Sequence, residues 1–309
     1  MSVTLEHSSQ ETTAVRPMAA ESPWRRFATD YFASSMATGA FIILLIIIFI
    51  ALFAAIISPQ NPYDLATVDI LDSRLPPGSE SMTGFTFWLG TDGAGRDMLS
   101  AIFYGLRISL GVGVMSGLIA LCLGASIGLI AAYFGGKVDT FIMRVVDLQL
   151  SFPAILVALI LLAVLGKGVD KIIIALVIVQ WAYYARTVRG SALVERRKEY
   201  IEAASCLALS NHRIVFRHLL PNCMPPLIVV GTLQTAHAIA LEATLSFLGI
   251  GLPITQPSLG LLIANGFEYM LSGKYWISFF PGIALLITIV SINLVGDQLR
   301  DVLNPRLAK

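Results

Sequence analysis

Of the 309 residues, 56% are Ala, Val, Ile, Leu, Met, Phe, Trp, Tyr or Cys, and only 13% are charged, about half the share of roughly 25% usual in soluble domains. A soluble fold of this size cannot hide that much apolar surface, so composition excludes soluble, disordered, collagen-like and disulfide-rich classes and leaves an all-α membrane protein. The net charge of +1 names no polyanionic partner, and three Cys without a C-x-x-C pair and four scattered His offer neither a disulfide framework nor a metal-ligand set.

In chain order, residues 1–35 are a polar tail carrying Arg16, Arg25 and Arg26. Met36–Ile57 is an apolar run of 22 residues, and at about 1.5 Å per residue it crosses a hydrocarbon core of about 30 Å. A cleaved secretory signal is the weaker reading, because the tail is long, the run exceeds an ordinary signal core and no small-x-small site follows cleanly. Residues 58–104 form a polar, largely acidic loop with Pro59, Pro62, Pro76 and Pro77. Within it, Leu89-Gly90-Thr91-Asp92-Gly93-Ala94-Gly95-Arg96-Asp97 reads as a turn leading into an amphipathic face of Leu99, Ile102, Phe103 and Leu106. A transmembrane domain over 105–300 then carries spans near 107–134, 141–165, 172–190, 222–248 and 275–297, with a polar loop over 191–221, and a short tail over 301–309 closes the chain. The expected architecture is therefore six transmembrane helices, since irregular backbone cannot face lipid.

Lysines and arginines set the orientation. The N-tail, the region around Lys137 and Arg144, the block from Arg186 to Arg217 and the C-tail together hold 15, against 5 on the opposite side. By the positive-inside rule both termini are cytoplasmic and 58–104 faces outward.

Motifs for chemistry are missing from the sequence. The three Gly-Lys pairs, ending at Lys137, Lys167 and Lys274, lack the upstream Gly and the following Ser or Thr of a phosphate-binding loop. No cofactor or metal is expected in this chain. Ser116, Ala120, Gly124, Gly128 and Ala132 recur every four residues, a ridge that lets two membrane helices approach closely. Pro153, Pro225, Pro226 and Pro281 lie in or beside spans and predict kinks. Arg144 and Asp147 read as a local i,i+3 pair. Glu242 is the unusual charge: Gly231, Thr235, Glu242 and Ser246 share one helix face, with His237 turned away. Thr235, Glu242 and Ser246 are candidate path-lining residues; helix–helix hydrogen bonding is an equally open reading of the same face.

The 191–221 segment carries the most specific signal. Glu202-Ala203-Ala204, then Ala208, then Leu220-Pro221 resembles the EAA loop of bacterial ABC-importer permeases, with Ala208 where that family has Gly and His218 where it has Ile. Gly90-Thr91-Asp92 with Gly95-Arg96-Asp97, Met143-Arg144-Val145-Val146-Asp147 with Phe152-Pro153, Leu245-Ser246-Phe247-Leu248-Gly249, and Asn293-Leu294-Val295-Gly296-Asp297 with Leu299-Arg300-Asp301 are similar to the dipeptide/oligopeptide/nickel permeases, in particular their C-type subunit. Gln298 and Asn304 depart from the last motif.

The resemblance implies the type I ABC importer permease fold in the bacterial inner membrane. It also implies a heterodimer with a B-type permease, two ATPase subunits that bind the ATP and Mg, a periplasmic substrate-binding protein, and surrounding lipid, with no nucleic acid. The coupling loop would comprise Glu202, Ala203, Ala204, Ala208, Leu209, Ser210, Asn211, Leu220 and Pro221; the residue types alone make Ser210-Asn211 a cap for a second short helix. Peptides are the expected cargo; nickel chelates, glutathione or another small solute are the alternatives. An ion-coupled carrier would call for more buried carboxylates than Glu242 and Asp147, and an intramembrane enzyme for a nucleophile–base constellation.

Overall fold

The computed structural model describes residues 22–64, 68–81, 84–253, 255–256 and 258–303. Arg16, Asn304, Arg306 and Lys309, which entered the charge pattern and the last motif, lie outside them. The described chain is helical apart from one small outlying region. A short helix α1 (Pro23–Phe32) precedes α2 (Ser35–Ile57), whose first turn is capped by Ser34. After the loop come the long α3 (Met98–Phe134), α4 (Gly136–Ser151), α5 (Ala154–Leu165) and α6 (Val169–Glu195). Then follow α7 (Glu199–Cys206), α8 (Asn211–Arg213), α9 (Leu220–Phe247), α10 (Leu259–Phe267) and α11 (Trp276–Leu303).

Five of the described helices are long and apolar enough to cross a membrane, and the pair α4–α5, bent by 90°, supplies a sixth crossing if taken as one broken span. The stretch 141–165 was expected to be a single span; instead Ser151 ends one helix and Ala154 begins the next. Pro153 explains the break, because its ring excludes the helical conformation of Phe152, which is extended at φ −93° and ψ 141°.

Two other expected spans are longer than their apolar cores. α3 begins at Met98 rather than near 107, because Asp97 caps it: Ser100 N–H donates to Asp97 Oδ2 at 2.8 Å, and Ser100 Oγ at 2.6 Å. The amphipathic lead-in and the second span are thus one helix of 37 residues, about 55 Å long. α6 likewise runs to Glu195.

The loop before α3 folds into a compact layer. Ser79–Glu80 and Thr86–Phe87 form a two-stranded antiparallel ribbon. Asp92 accepts from the backbone of Ala94 and Arg96 and from Arg96 Nε at 2.7 Å. Gly95 is the position where a glycine is required: its φ is +84°, and a side chain there would run into the carbonyl of Asp69.

The expected small-residue ridge forms the central seam. Ser116, Ala120, Gly124, Gly128 and Ala132 are all buried. A Cβ on Gly124 would stand 2.7 Å from Tyr184 Cβ and collide with the carbonyl of Trp181, and one on Gly128 would strike the carbonyl of Ala185. In lipid, where apolar burial gives helices no advantage over acyl chains, this close backbone approach supplies the packing energy. Beside it, α4 is clamped to α6 by Arg189, which grips both oxygens of Asp139 at 2.6 Å, and by a contact from Arg186 to Asp147. Asp147 therefore pairs across helices and not with Arg144, as the local spacing had indicated.

Candidate functional site: a helix held out at one end of the bundle

The segment expected to carry coupling folds as a short helix and a tip between two long helices. α6 ends at Glu195, whose carboxylate receives Lys198 Nζ at 2.7 Å and Tyr200 Oη at 2.8 Å. Burial and that bond to Glu195 push the Tyr200 phenol up to about 12, so it stays a donor at any physiological pH. These contacts fix where α7 starts. Glu202, Ala203 and Ala204 lie in its middle. Ile201 and Ala204 face inward onto Ile214, Leu209 and Tyr133, while Glu202 and Ala203 face out.

Tyr133, at the end of α3, is the bolt. Its hydroxyl donates to Asn211 Oδ1 at 2.7 Å, and the Arg196 guanidinium lies 5.7 Å from its ring centre. Asn211 was expected to cap the second helix together with Ser210. The structure uses it as an acceptor for Tyr133, and Ser210 makes no side-chain cap.

At the tip, Ala208 has φ +52°. This left-handed conformation costs a residue with a Cβ about 1–2 kcal/mol and is the usual reason for glycine at such a turn. The position where the resembling family carries Gly therefore keeps glycine's backbone here with alanine. Leu207, beside it, is 75% exposed, and Phe216, tilted against His212 with ring centres 4.7 Å apart, is also exposed. The tip thus offers apolar side chains to whatever lies beyond it.

The segment is narrower than 191–221. Leu220 and Pro221 do not end it; they lie inside a continuous helical stretch from Asn211 to Phe247. Ile214–Leu219 is a π-helical turn in which Leu220 N–H reaches back five residues to Val215 O. Pro221 has no N–H to donate, and the widened turn just before it absorbs the disruption. Asn222 Nδ2 then caps the carbonyl of His218 at 2.7 Å.

The second candidate group separates. Glu242 is 0% exposed. Ser246 Oγ donates to Oε1 at 2.7 Å and Ser109 Oγ to Oε2 at 2.9 Å, with Ser258 also bonding the carboxyl group. Ser109 belongs to α3 and Ser258 caps α10, so the group ties three helices together. That arrangement is the packing reading. A path-lining role for Glu242 needs an accessible carboxyl, and burial among serines removes it. Thr235 lies apart, half-buried beside Gly231 and Gly117, and His237 is exposed. Sequence reasoning missed Ser109 and Ser258, because neither has a local spacing relationship to Glu242. It also missed Tyr133, which reads as one more aromatic at a span end.

A bundle of long apolar helices with a short helix braced at one end defines a class: a multi-pass membrane permease. Residues 124–309 match the family described as the binding-protein-dependent transport system inner membrane component, and residues 22–77 match the N-terminal transmembrane domain of oligopeptide transport permease C. The chain belongs to this family and is an ABC importer permease of the peptide/glutathione class, a non-enzymatic membrane component. It is 36% identical to the dipeptide transport system permease protein DppC of Bacillus subtilis, over 93% of this chain and 85% of that one. It is 34% identical to the glutathione transport system permease protein GsiD of Pectobacterium atrosepticum, over 95% and 94%. The fold is that of a chain in the inward-facing MetNI methionine ABC transporter, with a TM-score of 0.55 at 20% identity over 67% of this chain and 98% of that one.

Proposed function

We propose that this chain is one half of a two-subunit permease importing short peptides across a bacterial inner membrane, paired with a related B-type permease. Two ATPase subunits holding ATP and Mg dock on the α7 end, and an external binding protein delivers cargo to the other end. Both termini are then cytoplasmic. The observation that carries the reading is the braced α7 with its exposed tip: Leu207 and Ala208 stand out, while Ile201 and Ala204 pack on Tyr133 of α3 and on Ile214 in the π turn that leads into α9. Glu202, Ala203, Leu209, Ser210, Asn211, Leu220 and Pro221 belong to the same unit, which couples ATPase motion to opening of the path. Peptide cargo is supported by the name of the Bacillus subtilis relative, and glutathione by that of the Pectobacterium one.

The test is Leu207→Asp in the reconstituted transporter. Leu207 touches little of its own chain, so the permease pair should assemble with unchanged thermal stability. A carboxylate forced into a packed cleft without a partner is costly, so ATPase association should weaken at least tenfold and peptide uptake should fall with it. Normal uptake and normal ATPase retention in Leu207→Asp would reject the coupling role. Uptake of glutathione with no uptake of other short peptides would correct the cargo and leave the coupling intact.

A further inference from the structure

A cavity lies at the end of the bundle remote from α7. It has a volume of about 640 Å³ and is walled by the 92–96 turn, the last turn of α9, α10 and Lys167 before α6. Lys167 and α7 lie at opposite ends of α6, a helix of 27 residues, about 40 Å apart. Three of the polar side chains around the cavity are already engaged. Arg96 is spent on Asp92 at 2.7 Å, and Ser246, in the floor, is spent on Glu242. Two opposite charges are not. Lys167 and Glu268 both line the cavity, both are exposed, and among the described residues neither has an ion-pair partner. Asn265 adds an amide, and Phe247, Phe267 and Tyr269 supply aromatic wall, the two phenylalanine rings packed edge to face at 5.8 Å.

The wall is set in place before any ligand arrives. Gly260 lies so close to α9 that a Cβ would come within 2.5 Å of Ala243 Cα, and Gly266 equally close to the carbonyl carbon of Ile277. Tyr269 is held from behind by the Arg74 guanidinium, 5.2 Å from its ring centre. A sphere of the cavity's volume is about 11 Å across, room for an extended dipeptide of about 7 Å or a tripeptide of about 10–11 Å at about 3.3–3.6 Å per residue. An apolar and aromatic wall interrupted by charged and amide side chains suits a ligand that carries both charge and side chains.

We propose that this cavity is a subsite for short zwitterionic peptides: Lys167 takes the terminal carboxylate, Glu268 the terminal ammonium, and the aromatic wall the side chains. The proposal rests on the reading of the chain as a peptide importer and adds to it a site within this subunit. Glu242, one of the candidate path-lining residues of the sequence, is consumed by serines; Glu268 is the carboxyl group left to meet a ligand.

The test is competition binding of a labelled dipeptide to the purified complex of both permeases and both ATPases, without binding protein, against the same dipeptide free, N-acetylated and C-amidated. In the unaltered complex each blocked form should compete roughly tenfold less well than the free one, the loss of one charge-assisted contact. Lys167→Gln should weaken the free and acetylated forms and leave the amidated form where it was. Glu268→Gln should weaken the free and amidated forms and leave the acetylated form unchanged. Absence of dipeptide binding to this complex, or an equal effect of each variant on all three competitors, overturns the proposal. So does an effect confined to binding-protein stimulation of ATPase activity, which would make the cavity a docking socket. Failure of the complete transporter to take up any peptide would instead overturn the peptide-importer reading itself.

Discussion

α3 meets its neighbours in two contrasting ways along its length. Along its second half it lies against α6 with glycines at the contact, where an added Cβ would strike backbone carbonyls, Tyr184 Cβ and Val188 Cγ1. At its far end it meets the α7 unit through one aromatic ring, a hydrogen bond to Asn211 and, among the described residues, a small cluster in which Ile201, Ala204 and Ile214 are buried. The first contact opens only at the cost of the bundle. The second is small enough to shift as a unit, since regions with few buried contacts open at low free energy. A permease that converts motion at one end into opening elsewhere needs both: a stiff member to carry displacement and a lever that can receive it.

The most direct way to break this contrast is to wedge the seam. Gly124→Leu puts a branched side chain against the carbonyl of Trp181 and Tyr184 Cβ, neither of which is the loose end of a flexible chain. Overpacking of a tight core costs about 1–3 kcal/mol even where neighbours can adjust, and here relief requires separating two helices. The expected outcome is loss of most folded protein from membranes, and a large fall in thermal midpoint for what remains in detergent. A variant with the stability of the parent would mean that the α3–α6 seam is not the stiff member.

At the other end the same logic predicts function lost without stability. Tyr133→Phe keeps the ring, its packing and its contact with Arg196, and removes only the donor to Asn211. An exposed neutral hydrogen bond contributes about 0.5–1.5 kcal/mol, little against a membrane bundle. We expect an unchanged thermal midpoint and a two- to fivefold fall in peptide transported per ATP hydrolysed, because α7 is less firmly tied to α3. An equal loss of stability and transport would place Tyr133 with the seam instead of the lever.

The contrast also separates what could be read in the sequence from what could not. The seam was legible because it is local: residues four apart on one helix announce a face before any partner is known. The α7 unit was visible as a separate segment through the spacing of Glu202-Ala203-Ala204, Ala208 and Leu220-Pro221. Its boundaries were not, since proline at 221 argues for a helix end, and only the π turn at Ile214–Leu219 lets the helix continue through it. The 90° bend at Pro153 was visible as a kink and not as a break, because a proline's consequence depends on the neighbours that hold each half. Glu242 was singled out correctly as unusual, but its partners come from 133 residues away on α3 and from the cap of α10. Long-range satisfaction of a buried carboxyl leaves no periodic trace.

The finest distinction concerns Ala208, where φ is +52°. If the tip is held in this conformation, side-chain size should act through backbone strain and give a fixed order. Glycine adopts the left-handed region without penalty, alanine pays about 1–2 kcal/mol, and a β-branched residue is a stronger outlier still. Ala208→Gly should therefore stabilise the tip, but by less than the whole penalty, because glycine also gives the unfolded chain more freedom; the net gain should be about 0.5–1 kcal/mol. Since the tip is a small, exposed unit, that gain should show as slower amide exchange at Leu207–Leu209 and barely at all in the melting of the bundle. Ala208→Val should speed the same exchange. Transport should stay near the parent level in the glycine variant, whose tip keeps its shape. Equal exchange rates for Gly, Ala and Val would mean that the tip relaxes out of the left-handed conformation at no cost, and that the lever ends at Cys206.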